Sequence, residues 1–456
     1  MKRLAVAAVV AVAGLLAVTA PATAAQPQHR TYQEKIGEAT FRVEVPANWN
    51  GTLLLYSHGY YQAPHGPDET MLANRLGDAP EWLLRNGFAL AASEFEGRFG
   101  YAVEPALRDQ IAVLDWFAKK FGKPHRTIAT GSSMGGGIAA LLAERNPGRF
   151  DGVLAMCAEY DPQSTWNTGL DIAFVVKTLL AEGKDIDLVK ARDPKASTAA
   201  LQAAVDGAHH DNAGRARIAL AAALGNIPGW YNAHAERPQD AIADQAKWIH
   251  SAYISGMGPE KGREDLERRA GGNPSFNIGV DYSRLLAKSA LRDEVRRVYR
   301  QAGLDLDADL AKLAKAPRIA PDPRAVAYMY RYGVASGRMP VPMVTLHNSL
   351  DGGAVSDQQR WYAGKLDRPD RIRQLYVNRG GHCAFSAAEE LTALRTLLHK
   401  LDTGRWSATS PATLNSAASA YGSVYQNVLD LPTFTDKEMP PAFVDFTPPR
   451  SLRPSH

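Results

Sequence analysis

Short apolar runs, bounded by glycine, proline or polar residues, recur along much of this chain. A continuous apolar run of about four to eight residues is typical of a strand that is buried on both faces of a sheet. Two further segments, 136–145 and 387–401, predict helices. The predicted strands cover residues 51–57, 126–130, 151–157, 341–347 and 375–377.

The middle of the chain has a different pattern. From residue 161 to about residue 337, apolar residues recur at helical spacing, and glycine, proline and asparagine separate the segments. The predicted helices cover residues 171–182, 213–224, 240–255, 283–302 and 323–332. We therefore expect a helical region at 161–335 that interrupts a core formed by 25–160 and 336–405. Residues 406–456, rich in Ser, Ala and Pro, form a C-terminal extension, either wrapped around the domain or partly disordered.

The first residues have the features of a secretory signal. Lys2 and Arg3 precede an apolar run over residues 4–18, and Pro21 to Ala24 offer a small-residue cleavage site. We predict a signal peptide at 1–24 and a secreted protein, extracellular or periplasmic, with an uncleaved anchor as the alternative. No other apolar run approaches membrane-spanning length, so the mature chain is expected to have no membrane partner.

Charge adds one exclusion. The formal net charge is +4, and removal of Lys2 and Arg3 lowers it to +2. Without a basic block or stripe, nucleic acid is not an expected partner.

One short motif contains the first candidate catalytic residue. Residues 131–135 read Gly-Ser-Ser-Met-Gly, a G-x-S-x-G pattern between a predicted strand and a predicted helix. That context is typical of a nucleophile elbow, in which a sharp turn exposes a serine hydroxyl above the sheet edge. Ser133 is the predicted nucleophile, and an ordinary glycine-rich turn is the alternative.

A serine nucleophile needs a base and a carboxylate that orients the base. His382 follows two glycines at the end of a predicted strand, whereas the other interpretation makes it a surface histidine. Asp351 lies in a turn after the strand 341–347, and the order Ser, Asp, His is the one that G-x-S-x-G hydrolases use. Glu159 and Asp161, after the strand 151–157, are the rival acids.

The negative charge that develops on the carbonyl oxygen of the substrate also needs hydrogen-bond donors. Backbone N–H groups in that position are worth about 10²–10³ in rate each. The Met134 amide, directly after the nucleophile, and the Tyr60 amide, after His58-Gly59, are the predicted pair.

These residues together resemble the α/β-hydrolase superfamily, through His58-Gly59, the 131–135 motif, Asp351 and Gly381-His382. The resemblance implies a mostly parallel sheet with helices on both faces, a helical cap at 161–335 and an acyl-enzyme mechanism without a cofactor. In the acid turn the chain departs from the usual pattern. Asn348 stands where Gly is common and Ala354 where Val is common.

The two cysteines, Cys157 and Cys383, would both lie at the active-site rim of such a fold. We predict a disulfide between them, with two free thiols as the alternative. A His-Cys pair beside the triad is similar to secreted tannases and feruloyl esterases. In those enzymes the partner cysteine adjoins the nucleophile, a place that Ser132 takes here, so no phenolic substrate is assigned.

The leading hypothesis is a secreted serine hydrolase that cleaves carboxylic esters, with a small-molecule ester or a short peptide as substrate. An aminopeptidase is the runner-up and would need acidic groups for the substrate ammonium, and a non-catalytic binding protein is the third hypothesis. The candidate acidic groups are Glu94, Glu96, Glu159 and Asp161.

Neither a metal nor a cofactor is expected. The set His209, His210 and Asp211 lacks a third separated ligand, and the alternating Asp305, Asp307 and Asp309 lack the glycine and glutamate of a calcium loop. We expect one or two aromatic residues of the helical region to line the substrate pocket. The candidates are Trp166, Phe174, Trp230, Tyr231, Trp248, Tyr253 and Phe276.

Overall fold

The computed structural model describes residues 29–63, 66–74 and 78–455 of the chain. The predicted signal peptide, 1–24, lies outside these residues. In the described part, no helix combines the length and the apolar character that crossing a membrane requires.

Nine of the strands in the described residues form one sheet, in the order β1-β2-β4-β3-β5-β6-β7-β8-β11. The strands are β1 (His29–Ile36), β2 (Ala39–Pro46), β3 (Thr52–Ser57), β4 (Ala89–Ser93), β5 (Arg126–Ser132), β6 (Gly152–Met156), β7 (Met343–Asn348), β8 (Ile372–Val377), β9 (Asn427–Asp430), β10 (Thr435–Glu438) and β11 (Phe443–Val444). The strands from β4 through β3 to β8 are parallel, whereas β1, β2 and β11 add antiparallel edges. All side chains of β3, β4, β6 and β7 are buried, as expected for strands covered on both faces.

Helices lie on both faces of this sheet and in the inserted region. They are α1 (Asp78–Arg85), α2 (Val103–Phe121), α3 (Met134–Arg145), α4 (Pro162–Val175), α5 (Pro194–Ala208), α6 (Asn212–Ala223), α7 (Ala241–Trp248), α8 (Glu264–Ala270), α9 (Tyr282–Lys288), α10 (Arg292–Gln301), α11 (Leu306–Lys315), α12 (Pro323–Tyr332), α13 (Asp357–Lys365), α14 (Ala387–Thr403) and α15 (Pro411–Ser419). π-Helical turns occupy Val176–Leu180, Ile249–Gly256 and Pro259–Arg263, and 3₁₀ turns occupy Pro369–Arg371 and Ser423–Tyr425.

The two faces of the sheet have separate cores, because successive side chains of a strand point to opposite faces. Leu53 and Leu55 pack with α2, α3 and α13 on one face. Leu54 and Tyr56 pack with α1, α14 and α15 on the other. A mostly parallel sheet covered in this way, with a sharp strand-to-helix turn after β5, is the α/β-hydrolase fold.

The region between β6 and β7 has a third core of its own, built from α4 to α7 and from α9 to α11. The segment predicted as one helix over 283–302 is two helices, and that prediction was wrong. Ser289 between them is extended, and its hydroxyl donates to Asn226 Oδ1 at 3.1 Å. Asn226 lies far away in sequence, so the periodicity alone carried no signal of this break.

The C-terminal extension packs against both the sheet and the helical region. Its β11 pairs with β8 at the edge of the sheet. Further on, Leu452 lies in the core of the helical region, and the Arg453 guanidinium donates to the buried Asp171 carboxylate at 2.6 Å. Extension and helical region are therefore packed together.

Candidate active site

Ser133 lies at the turn between β5 and α3 with φ 56° and ψ −127°, a left-handed conformation that is rare outside glycine. Close packing leaves room only for hydrogen at the flanking glycines. A Cβ on Gly131 would stand 2.2 Å from the Gly135 carbonyl oxygen, and one on Gly135 would stand 2.0 Å from the Ser57 oxygen. The two glycines thus let the turn pack against β3, and the turn presents the Ser133 hydroxyl at the carboxyl end of the sheet.

The structure brings Ser133, His382 and Asp351 into one chain of hydrogen bonds. Ser133 Oγ lies 2.9 Å from His382 Nε2, and His382 Nδ1 lies 2.9 and 3.0 Å from the two Asp351 oxygens. Because an ionised carboxylate only accepts, Nδ1 carries the proton, and Nε2 accepts from the serine hydroxyl. Ser133 and His382 are 249 residues apart in sequence, and the ends of β5 and β8 bring them together.

The charges of this group favour an ionised acid and a more basic imidazole. Burial lowers the pKa of His382, but the Asp351 carboxylate and Glu159 raise it, and the net shift is upward. Burial raises the pKa of Asp351, whereas His382 and the donors around it lower it, and the net shift is downward. The Gly353 and Ala354 amides donate to Asp351 Oδ1 at 2.8 and 2.9 Å, which holds this wholly buried carboxylate in place.

Asn348 connects the acid turn to the histidine loop. Its side-chain amide donates to the Gly380 and Ala384 carbonyls at 3.1 and 3.3 Å, and its oxygen accepts from the Ala384 N–H at 3.1 Å. Glycine at this position would make none of these contacts. The departure from the usual acid-turn pattern therefore has a structural reason.

A buried ion pair holds the same loop from the other side. Arg379 and Glu389 are 1% and 0% exposed, and their side chains meet at 2.8 and 3.1 Å. Arg379 also donates to the Ala384 carbonyl at 2.8 Å. These bonds tie the backbone on both sides of His382 to α14.

Cys157 and Cys383 form a disulfide across a separation of 226 residues. Cys157 follows β6, and its Sγ accepts from the Ser133 N–H at 3.3 Å. Cys383 directly follows His382. The disulfide therefore links the turn at Ser133 covalently to the histidine loop, and neither sulfur is left as a thiolate to bind a metal.

The two predicted oxyanion donors lie beside Ser133. Met134 is the first residue of α3, so its N–H has no acceptor within the helix. Gly59 approaches Ser133 closely, since a Cβ there would stand 3.2 Å from Ser133 Cβ, and the Tyr60 amide comes next.

His58, which precedes this pair, is buried between the rings of Tyr61 and Phe95. Its ring nitrogens contact the Gly59 and Glu94 carbonyls at 2.7 and 3.3 Å, and burial lowers its pKa to about 4. A neutral imidazole therefore supports the loop that carries the Tyr60 amide.

A cavity of about 360 Å³ opens above Ser133. Three of the aromatic residues proposed from sequence, Trp166, Tyr231 and Trp248, line it, together with Tyr60 and Tyr101. The C-terminal extension contributes Leu431 and Pro432, at the turn between β9 and β10. Sheet loops, helical region and extension all contribute to the wall.

Of the other acidic residues considered, Glu159 alone lines this cavity. Glu94 pairs with Arg98 at 2.9 Å, and Glu96 pairs with Arg108. Asp161 begins α4 by accepting from the Ser164 N–H at 3.0 Å and also accepts from Ser455. Neither Glu159 nor Asp161 hydrogen bonds to His382 within the described residues.

Two of the residues weighed as metal ligands cap helices, and a third forms an ion pair. Asp211 and Asp305 accept from the first amides of α6 and α11. Asp309 pairs with Arg217 at 2.9 Å.

Residues 25–363 match the model of the tannase-like family of unknown function, DUF6351. The chain belongs to this family. An o-phthalyl amidase of Xanthobacter agilis is 29% identical over 430 residues, which cover 86% of this chain and 92% of that protein.

Among solved structures, feruloyl esterase B from Aspergillus oryzae is 13% identical to this tannase-like chain, with a TM-score of 0.41, and the match covers 90% of this chain and 84% of that one. The 2-hydroxy-6-oxo-6-phenylhexa-2,4-dienoate hydrolase of Rhodococcus sp. strain RHA1 is also 13% identical, with a TM-score of 0.35 and coverage of 82% and 99%.

Sequence reasoning missed two contributions to the site of this tannase-like protein. The contacts of Asn348 were not foreseen, although its place in an unusual acid turn was a signal. Leu431 and Pro432 gave no signal, because nothing local shows that the β9–β10 turn reaches the cavity.

Proposed function

We propose that this protein is a serine hydrolase that cleaves a carboxylic ester through an acyl-enzyme. The chain of hydrogen bonds from Ser133 through His382 to Asp351 is the observation that carries the proposal. Ser133 Oγ attacks the acyl carbon while His382 Nε2 takes the hydroxyl proton, and Asp351 stabilises the imidazolium. The tetrahedral intermediate then collapses, and His382 returns the proton to the leaving alkoxide.

Hydrolysis of the acyl-enzyme repeats these steps with water. His382 removes a proton from water, the hydroxide adds to the acyl carbon, and the Ser133–acyl bond breaks as Ser133 regains its proton. The amides of Met134 and Tyr60 are the proposed donors to the oxyanion in both halves of the reaction. The aromatic walls of the cavity support an acyl or leaving group with an apolar, flat surface.

An amide is the second candidate substrate. The same attack and proton return cleave an amide when His382 delivers its proton to the leaving nitrogen. The o-phthalyl amidase of Xanthobacter agilis, similar over most of both chains, favours this alternative.

We also propose that the protein acts outside the cytoplasm. The predicted signal peptide at 1–24 supports export, and the disulfide between Cys157 and Cys383 is of a kind that persists in oxidising compartments.

A fluorophosphonate probe and two variants test the serine mechanism. We expect the probe to label the wild type and Ser132→Ala but not Ser133→Ala. Ser132 is the matched control because its hydroxyl is buried against Tyr56 at 2.7 Å and does not face His382. Equal labelling of Ser133→Ala, or none of the wild type, would contradict the proposal.

The bond that is cleaved needs a separate assay. p-Nitrophenyl acyl esters and the matching p-nitroanilides differ only in the leaving atom. Turnover of the esters without detectable turnover of the anilides supports the leading proposal. Sustained turnover of the anilides supports the amidase alternative, because an amidase with this mechanism also cleaves the more reactive ester.

A further inference from the structure

Glu159 is a carboxyl group in the substrate cavity that the proposed mechanism does not use. It lies three residues after β6 and lines the cavity with Ser133 and His382. Among the described residues it has no hydrogen-bond or ion-pair partner. Desolvating a carboxyl group without a partner costs free energy, so such a group inside a cleft is a candidate functional position.

The other acidic groups near the site contrast with Glu159. Asp351 is held by His382 and two amides, Glu94 by Arg98, and Asp161 by the Ser164 and Ser455 amides. Each has its structural partners within the fold. Glu159 alone is left to meet a group that enters the cavity.

The residues that line the cavity indicate the charge of the group that would meet Glu159. Among the described residues, no lysine or arginine lines it, and Glu159 and His382 are its ionisable groups apart from tyrosines. Five aromatic residues line the space: Tyr60, Tyr101, Trp166, Tyr231 and Trp248. Aromatic faces attract cations, and together with a carboxylate they form the usual binding site for an ammonium group.

We propose that the substrate carries a positively charged amine near its scissile carbonyl and that the Glu159 carboxylate binds this amine. The inference rests on the proposed serine hydrolase and adds the substrate class. Glu159 determines specificity, since it neither attacks the carbonyl nor moves a proton.

The protonation of Glu159 is consistent with this role. Burial raises its pKa to about 7, Asp351 and Asp161 add to the rise, and His382 opposes it. Between pH 6 and 8 the empty cavity therefore gains a negative charge as pH increases. Binding of a cationic substrate should strengthen over the same range.

Three p-nitrophenyl benzoates, substituted in the meta or para position, test the proposal. One carries a trimethylammoniomethyl group, the second the uncharged 2,2-dimethylpropyl group of the same shape, and the third an anionic carboxymethyl group. The measured quantity is the ratio of kcat/KM for the cationic ester to that for the uncharged ester. A ratio cancels effects common to both esters, including the protonation of His382.

At pH 8 we expect the wild type to favour the cationic ester by about 10- to 100-fold, because a partly buried ion pair is worth that much. Glu159→Gln, which keeps the shape and removes the charge, should bring the ratio close to one. Asp161→Asn is the matched control, since it removes a carboxylate two residues away that does not line the cavity. Loss of this charge lowers the pKa of Glu159, which at pH 8 adds little to its ionisation, so the ratio should stay at or slightly above the wild-type value. The charge of trimethylammonium does not change with pH, so a pH dependence of the ratio reflects the ionisation of Glu159. The wild-type ratio should therefore rise between pH 6 and 8, and the ratio of Glu159→Gln should stay flat.

A wild-type ratio near one, with the uncharged ester hydrolysed and Ser133→Ala inactive, would overturn the amine inference and leave the serine hydrolase intact. A preference for the anionic ester that is lost in Glu159→Gln would also overturn it, since Glu159 would then donate a proton to an anion. Undiminished hydrolysis of all three esters by Ser133→Ala would instead refute the proposed mechanism.

Discussion

The sheet and the helical region of this molecule are both tightly packed, but different parts of the sequence determine them. In the sheet, alternate side chains face opposite cores, so the register of the strands fixes where each strand ends and which loops meet there. In the helical region, packing depends on side chains from distant segments, including the C-terminal extension. The sheet thus positions Ser133, His382 and Asp351, whereas the helical region and the extension shape the space above them.

The variant with the largest expected effect on activity removes the charge of Asp351, which follows β7 at the sheet edge. Asp351→Asn should lower kcat/KM by about 10³- to 10⁴-fold, because asparagine favours the wrong tautomer of His382 and leaves the imidazolium without a counter-charge. Steady-state kinetics on a p-nitrophenyl ester measure the loss. If the variant kept more than about a tenth of the wild-type activity, Asp351 would not be the orienting acid.

A change in the packing of the helical region should instead lower the stability of the protein and leave kcat almost unchanged. In Arg453→Met the Asp171 carboxylate, 0% exposed, loses its ion-pair partner and keeps the Tyr282 hydroxyl at 2.8 Å. Leaving a buried charge without its partner costs about 3–5 kcal/mol of unfolding free energy. We expect a lower urea midpoint but a kcat close to the wild-type value, because Arg453 lies outside the cavity lining.

The matched control for this loss is the double variant Asp171→Asn with Arg453→Met. It removes the carboxylate charge as well and should recover part of the stability. Loss of kcat in the single variant, at temperatures where it remains folded, would show that the helical region takes part in the chemistry.

The same division explains how much could be predicted. The elbow at Ser133 was recognisable because strand, turn and helix are adjacent in sequence, and the turn residues carry their own signal. His382 and Asp351 each follow a strand and a glycine-containing turn, so local pattern and chain order found both. The structure places them within hydrogen-bonding distance of each other.

What the sequence did not reveal depends on contacts over long separations. Asn348 reaches residues 32 and 36 positions away, and no local pattern encodes those partners. The break at Ser289 depends on Asn226, 63 residues earlier. The cavity wall at Leu431 exists only once the extension has packed against the helical region.

A change in the cavity wall should act on binding more than on chemistry. Tyr231 is partly exposed, lines the cavity and packs edge-on against Trp248. Tyr231→Ala should raise KM for an aromatic ester by about 10-fold, since a ring contact of this kind is worth about 1–1.5 kcal/mol, and should change kcat little. Tyr330→Ala is the control, because Tyr330 is 39% exposed and lies outside the cavity lining. A fall in kcat with unchanged KM would mean that the wall positions the triad.

The smallest expected effect is a shift in the pH profile of kcat/KM. It distinguishes the charges at the sheet edge from the wall of the cavity. His382 accepts a proton only when it is neutral, so kcat/KM should rise with pH through the pKa of His382. Because that pKa is raised above its ordinary value of 6.5, the acid limb should lie above pH 6.5.

Glu159 is one of the groups that raise the pKa, so Glu159→Gln should move the limb toward acid. Tyr231→Ala changes the wall but no charge and should leave the limb where it is. Profiles of kcat/KM for the uncharged ester from pH 5 to 9 measure both. An equal shift in the two variants would mean that solvent exclusion by the wall, and not the charges at the sheet edge, sets the basicity of His382.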